Sequence, residues 1–303
     1  MNGIELSEKY YREYGLPMLE EVAPDALDRI AVGIAGRGSE CFGYDDGFSR
    51  DHDYEPGFCI WLTPEDDIRL GVKLARAYRA LPHEFEGVSL RYKTGEGQRY
   101  GVRIADAFFR DLLGLTEPPD DPLVWMSLPD HALAETVNGK IFRDDAKIMT
   151  ARREGFRYGM PGDVRKKKLA ARLALMAQAG NYNYPRILSH GEDAAARLAV
   201  DEYVRHALAA VFLVAGVPRP YYKWQFRALR DLPCLTQTEA PLSRLLSGAG
   251  REETLAAISD VNAALARELS APNEPLDRLA QEMQASISDR RLSSLHLLEY
   301  GAD

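Results

Sequence analysis

The chain has 303 residues, 46% apolar and 28% charged, with a formal net charge of −8. That length predicts two domains, and near-average glycine and proline exclude collagen-like and low-complexity chains. The acidic balance excludes a protein that coats duplex nucleic acid by bulk charge, and the longest apolar run, AVFLVAG (210–216), is far below the roughly 18–20 residues of a membrane span.

The opening MNGIELSEKYYREYG lacks the basic-then-apolar pattern of a signal peptide. Ile4–Tyr14 carries apolar and aromatic residues at helical spacing, and Pro17 is placed to open a second helix to about Val22. RIAVGIAG (29–36) and GFCIWLT (57–63) read as buried strands, and Pro64-Glu65-Asp66-Asp67 opens a helix through DDIRLGVKLARAYRAL. SLRYK and RYGVRIAD flank TGEGQ, a glycine-rich hairpin signal. TEPPDDP (116–122) continues neither period and reads as a linker. Beyond it HALAETVNG, DVRKKKLAARLALMAQAG, EDAAARLAVDEYVRHALAAVFLVAG and ETLAAISDVNAALARELS carry largely helical spacing. The expected fold class is α+β: a small mixed β-sheet domain over residues 1–116, then an all-α helical bundle over 123–303. Cys41, Cys59 and Cys234 form no CxxC pair, so reduced thiols and a cytoplasmic location are expected.

The chemistry concentrates in residues 36–54, GRGSECFGYDDGFSRDHDY. Gly38-Ser39 closely follows the first strand, and Asp51-His52-Asp53 precedes the second. Carboxylates at i and i+2 of an extended segment project from one face and repel unless a cation neutralises them, so a hard divalent ion is their natural partner. A Gly-Ser turn leaves backbone N–H groups and a hydroxyl free for phosphate oxygens. Together these are the requirements of phosphoryl or nucleotidyl transfer.

Gly38-Ser39, eleven intervening residues, then Asp51-x-Asp53 resembles the signature of the DNA polymerase β-like nucleotidyltransferase superfamily. The run from Gly38 to Leu62 is similar to an uncharacterised bacterial family within it, related in layout to the kanamycin and lincosamide nucleotidyltransferases. NGKIFRDD (138–145) and PRPYYKW (218–224) resemble that family less specifically. The resemblance implies transfer of NMP from an NTP to an acceptor, with release of pyrophosphate. Gly38 and Ser39 would hold the β- and γ-phosphates, and Asp51 and Asp53 would bind Mg²⁺ or Mn²⁺. Many relatives add a third carboxylate from a later strand, here matching VRIAD (102–106). Asp106 is the catalytic candidate there, Glu84 and Glu86 are further acids, and Arg103 is expected on the face where the third acid belongs. Lys223 would reach the triphosphate from the helical domain, or else snorkel from an aromatic cluster.

The same residues argue against other site chemistries. An HD-type phosphohydrolase needs a histidine before His52 and none exists; Gly36–Ser39 is not a Walker loop, and Ser39 is in no GxSxG elbow. Arg165–Lys168 is expected to be a solvated basic face, or else a contact for an anionic acceptor such as tRNA. Asn181-Tyr182-Asn183-Tyr184 is expected to cap a helix. The function read from the sequence is a nucleotidyltransferase with an unidentified small-molecule, RNA or protein acceptor; the alternative is a catalytically impaired NTP–Mg²⁺ binding module with a regulatory role.

Overall fold

The computed structural model describes residues 1–47, 54–89 and 99–303. They form two compact units, Met1–Pro118 with Ala132–Gly159, and Pro119–His131 with Met160–Asp303. The chain first passes between them inside the proline-rich TEPPDDP segment, as its inability to continue either period suggests. The division differs from the simple one expected, because 132–159 returns to the first unit and completes its sheet.

In the first unit the strands are β1 (Ala31–Ile34), β2 (Cys59–Leu62), β3 (Glu84–Phe85), β4 (Val88–Ser89), β5 (Gly101–Ile104) and β6 (Lys140–Asp144). The main sheet has the order β5-β2-β1-β6, with β1 antiparallel to both neighbours and β2 parallel to β5. β3 and β4 form a separate hairpin. The expected hairpin turn TGEGQ and most of SLRYK lie outside the described residues; the flanking RYGVRIAD supplies β5, which joins the main sheet beside β2. β1 and β2 are buried along their whole length, which is why they read as continuous apolar runs.

Helices α1 (Gly3–Tyr10) and α2 (Leu16–Val22) are joined without a break by a π turn over Tyr11–Gly15. Pro17 therefore does not start a separate helix. It lacks an N–H and crowds the carbonyl four residues back, and the wider π turn just before it accommodates both effects. A capping box closes the start of α1, with the Asn2 side chain on Glu5 N–H and the Glu5 side chain on Asn2 N–H. Tyr10 lies among Tyr14, Phe58 and Phe85, with ring centroids 5.5–5.9 Å away. α3 (Pro64–Asp66) and α4 (Val72–Arg79) follow β2, α5 (Ala105–Leu113) follows β5, and α8 (Thr150–Tyr158) follows β6.

Trp61 of β2 is fully buried and meets Phe108 of α5 edge-on at 5.7 Å, yet its indole Nε1 has no hydrogen-bond partner among the described residues. An unmade buried hydrogen bond costs about 1–3 kcal/mol, similar to the cavity cost of a slightly smaller ring. Trp61→Phe is thus expected to change stability by less than about 1 kcal/mol in urea unfolding, against about 3–5 kcal/mol for Trp61→Ala. A loss above about 2 kcal/mol for the phenylalanine would reveal a partner for the indole.

The second unit is helical among its described residues: α6 (Pro122–Ser127), the start of α7 (Asp130–Val137), α9 (Gly162–Met176), α10 (Tyr184–Ser189), α11 (Asp193–Ala215), α12 (Gln225–Arg230), α13 (Glu239–Leu246), α14 (Arg251–Glu268), α15 (Leu276–Ala285) and α16 (Arg290–Ser293). α9 lies at its centre, packed on α11 and α15. Ala199, Ala207, Ala209 and Ala210 are buried on α11, small side chains that let neighbouring backbones approach. No helix among the described residues is long and apolar enough to cross a membrane.

Two sequence expectations are corrected here. The run Arg165–Lys168 is no solvated face: Lys167 and Lys168 are 0% and 2% exposed. Lys167 Nζ donates to the carbonyls of His296 and Leu297 at 2.9 and 3.0 Å, and Lys168 Nζ to the Leu128 carbonyl and Asp130 at 3.3 Å each. These distant acceptors turn a charged helix start into an interior one, and burial pushes the Lys167 amine down to about 8. Asn181–Tyr184 caps nothing, because a π turn over Ala177–Asn183 carries α9 straight into α10. Asn181 instead accepts from Asn262 at 3.0 Å.

Candidate functional site

The segment leaving β1 is fixed by groups far away in the sequence. The Asn138 side chain donates to the Gly36 carbonyl at 2.7 Å and accepts from the Gly36 N–H at 2.8 Å, so one amide holds both backbone groups of that residue. Gly139 N–H donates to the Cys41 carbonyl at 2.6 Å, and Arg99 to the Arg37 carbonyl at 2.9 Å. Gly38 has φ +119°, a conformation that L side chains rarely adopt, and an added Cβ would meet Arg99 and the Glu40 carboxylate. Ser39 is 8% exposed, and its carbonyl accepts from the N–H groups of Phe42 and Tyr44, folding the turn back on itself.

Below the turn, Glu40 is 2% exposed and its Oε1 is ion-paired with Arg99. Its Oε2 is buried without a hydrogen bond among the described residues, as is Oδ1 of Asp45. Asp45 is positioned through its other oxygen, which accepts from Gly3 N–H at 2.8 Å. Sequence reasoning missed Glu40, Arg99 and Asn138. NGKIFRDD (138–145) begins at Asn138, but its spacing assigns no role to that residue, since each of the three acts through a partner fixed only by the fold. Cys41 and Cys59 are buried and free, and burial raises both thiols, Cys59 to about 11. Neither is a reactive thiolate at neutral pH.

Asp51 and Asp53 lie outside the described residues. Asp106 stands in the first turn of α5, where Arg152 Nη1 meets it at 2.7 Å; the same guanidinium reaches Glu117 at 2.6 Å. Arg103 is in register with Trp61, placing it on the sheet face shared by Cys59 and Trp61, opposite Val102 and Ile104. Glu84 is in β3, and Glu86 in the β3–β4 turn pairs with Lys9 at 3.2 Å. Lys223 is in the second unit on a single turn, Tyr222–Trp224, with its ammonium 4.7 Å from the Trp224 ring centroid. Gly38, Ser39, Glu40 and Asp45 thus come together, while Asp106 is engaged with Arg152. Among the described residues no group of three or more His, Cys, Asp or Glu could hold a metal ion.

Residues 125–225 match a domain of unknown function, DUF4037. That match spans parts of both units and begins well after Gly38-Ser39. No curated protein matches the chain. Among solved structures, a nucleotidyltransferase-like protein from Exiguobacterium sibiricum 255-15 is similar over 91% of this chain and 80% of that one, at 12% identity and a TM-score of 0.34.

Proposed function

We propose that the chain is a metal-dependent nucleotidyltransferase that moves NMP from an NTP to an acceptor and releases pyrophosphate. The observation that carries this reading is the locked Gly38-Ser39 turn at the exit of a buried central strand. Gly33 pairs with Cys59, so the chain leaving β1 and the chain entering β2 share one end of the sheet. Asp51-x-Asp53 falls in the sequence between these two points.

The oxygen donors suit a hard divalent cation. Two carboxylates spaced i, i+2, and the buried oxygens of Glu40 and Asp45 that have no hydrogen bond among the described residues, are the ligand chemistry of Mg²⁺ or Mn²⁺. Asp51 and Asp53 would hold the ion, which when bound neutralises charge on the triphosphate. The chain's own part is to bind and orient. Gly38, without a Cβ, leaves room for the Arg99–Glu40 pair while its backbone would meet phosphate oxygens, and Ser39 offers a hydroxyl. The Glu40–Arg99 pair under the turn keeps that surface from rearranging as charge moves to the leaving pyrophosphate.

One observation favours the second reading, an NTP-binding module without turnover. Asp106, the candidate base, is held by Arg152 at 2.7 Å. For the acceptor, a tRNA gains no support from Arg165–Lys168, since Lys167 and Lys168 are buried.

Thermal unfolding with each of the four NTPs, with and without Mg²⁺, tests the site. One NTP at about 100 times its dissociation constant should stabilise the protein by about 2.7 kcal/mol, only with Mg²⁺. Asp51→Asn/Asp53→Asn should abolish that gain. Absence of stabilisation by any NTP removes the proposal, and stabilisation without pyrophosphate release across acceptor classes selects the binding module.

A further inference from the structure

The second unit buries more positive than negative charge in one cluster, of which Arg219 and Asp303 line a cavity. Lys168, Arg172 and Arg219 are 2%, 2% and 6% exposed. Two acids meet them. Asp130 accepts from Lys168 at 3.3 Å and lies 3.6 Å from Arg219 Nε. Asp303 Oδ1 accepts from Arg172 Nη2 at 2.9 Å and is ion-paired with Arg219. The other contacts of Arg172 supply no full negative charge: its Nη1 meets His206 Nδ1 at 3.0 Å, and its guanidinium lies 3.6 Å from the Tyr300 ring centroid. Burial lowers the pKa of both Arg172 and Arg219, as expected where desolvated cations outnumber their counter-charges.

A cavity of about 460 Å³ opens on this arrangement, within the usual size of small-molecule sites. Arg219 and Asp303 line it, with Arg205 beside them. Its aromatic wall is His131, Tyr221 and Tyr222, with centroid separations of 6.4 Å and 4.4 Å between successive rings. Tyr221 and Tyr222 are 46% and 70% exposed, although each is a large ring beside an apolar wall from Val204 and Leu208 of α11. Asp303, by contrast with the buried cations it covers, has a side chain 32% exposed and belongs to a stretch without regular structure.

We propose that this cavity binds a small aromatic carboxylate, whose carboxylate replaces that of Asp303 on Arg172 and Arg219 while its ring lies along the tyrosine pair. A monoanion fits because the group it replaces, the Asp303 carboxylate, is itself a monoanion, and Asp130 and Asp201 stand nearby to oppose further negative charge. Asp303 is then an internal competitor that keeps the cations paired when no ligand is present. This site is independent of the nucleotide reading and does not require it.

Calorimetric titration of the full chain with 1-naphthoate tests the proposal, with 1-naphthalenemethanol as the neutral body of the same shape. Asp303→Ala should bind naphthoate about tenfold more tightly than the wild type, because the competitor's share of the site is released. Arg219→Gln should abolish binding. Since that change leaves Asp130 short of a partner and endangers folding, Tyr221→Ala/Tyr222→Ala provides a surface variant. It should weaken naphthoate at least about fivefold while its unfolding midpoint stays unchanged. The proposal fails if naphthoate does not bind Asp303→Ala, if it binds the wild type equally well, or if the neutral alcohol binds as tightly.

Discussion

Gly38→Ala is expected to lower stability by about 4 kcal/mol and to remove any stabilisation by NTP and Mg²⁺. Two costs combine. The φ of +119° strains any L side chain, and the new methyl occupies the place of the Arg99–Glu40 ion pair. Displacing Arg99 leaves Glu40, only 2% exposed, as a buried carboxylate deprived of its counter-charge. Gly43→Ala is the control: it also has positive φ, at +69°, but nothing among the described residues lies within 4 Å of the new methyl. It should cost only about 1–2 kcal/mol. Urea unfolding of the two variants decides between them, since equal losses would mean that the ion pair below Gly38 yields without penalty.

The second large effect is on acid stability. His206 is 1% exposed on α11, with Nδ1 accepting from Arg172 and Nε2 donating to Glu202 Oε1 at 2.9 Å. Burial, together with the Arg172 cation, pushes it down to about 4. Arg205 adds to that repulsion, Glu202 opposes it, and the Tyr300 ring packs against it. An unfolded histidine titrates near about 6.5, so between these values the unfolded chain takes up the proton and the folded chain does not. The stability from neutral His206 is complete above about pH 6.5 and is lost as pH falls toward 4, by about 3 kcal/mol. His206→Gln keeps an acceptor for Arg172 and does not titrate. Its unfolding free energy should therefore fall less steeply than the wild type's over that window, and parallel curves would refute the assignment.

The two central strands were legible because burial on both faces selects uninterrupted apolar runs, as in RIAVGIAG and GFCIWLT. The long helices α9, α11 and α14 were legible from their period. β6 was not. It is an edge strand, exposed or half-buried along KIFRD, and it sits between helices, so neither continuous apolarity nor clean alternation marks it. The Gly38-Ser39 turn was readable from residue type alone. Its supports were not, because Asn138 and Arg99 act from 102 and 62 residues away. The lysines of 165–168 show the converse failure: composition says solvent, and only carbonyls 129 and 130 residues distant make burial of Lys167 tolerable.

The late arrival of β6 constrains how the chain can be made. β1 is fully buried between β2 and β6, and the second of these is separated from it by a stretch that belongs to the other unit. As the polypeptide emerges from the ribosome, the sheet cannot close when residue 118 appears; one edge of β1 stays open until residue 144 has followed. A gene cut within 116–122 would leave that edge uncovered for good. The sheet unit is therefore complete only when the gene carries the intervening Pro119–His131 stretch of the other unit as well.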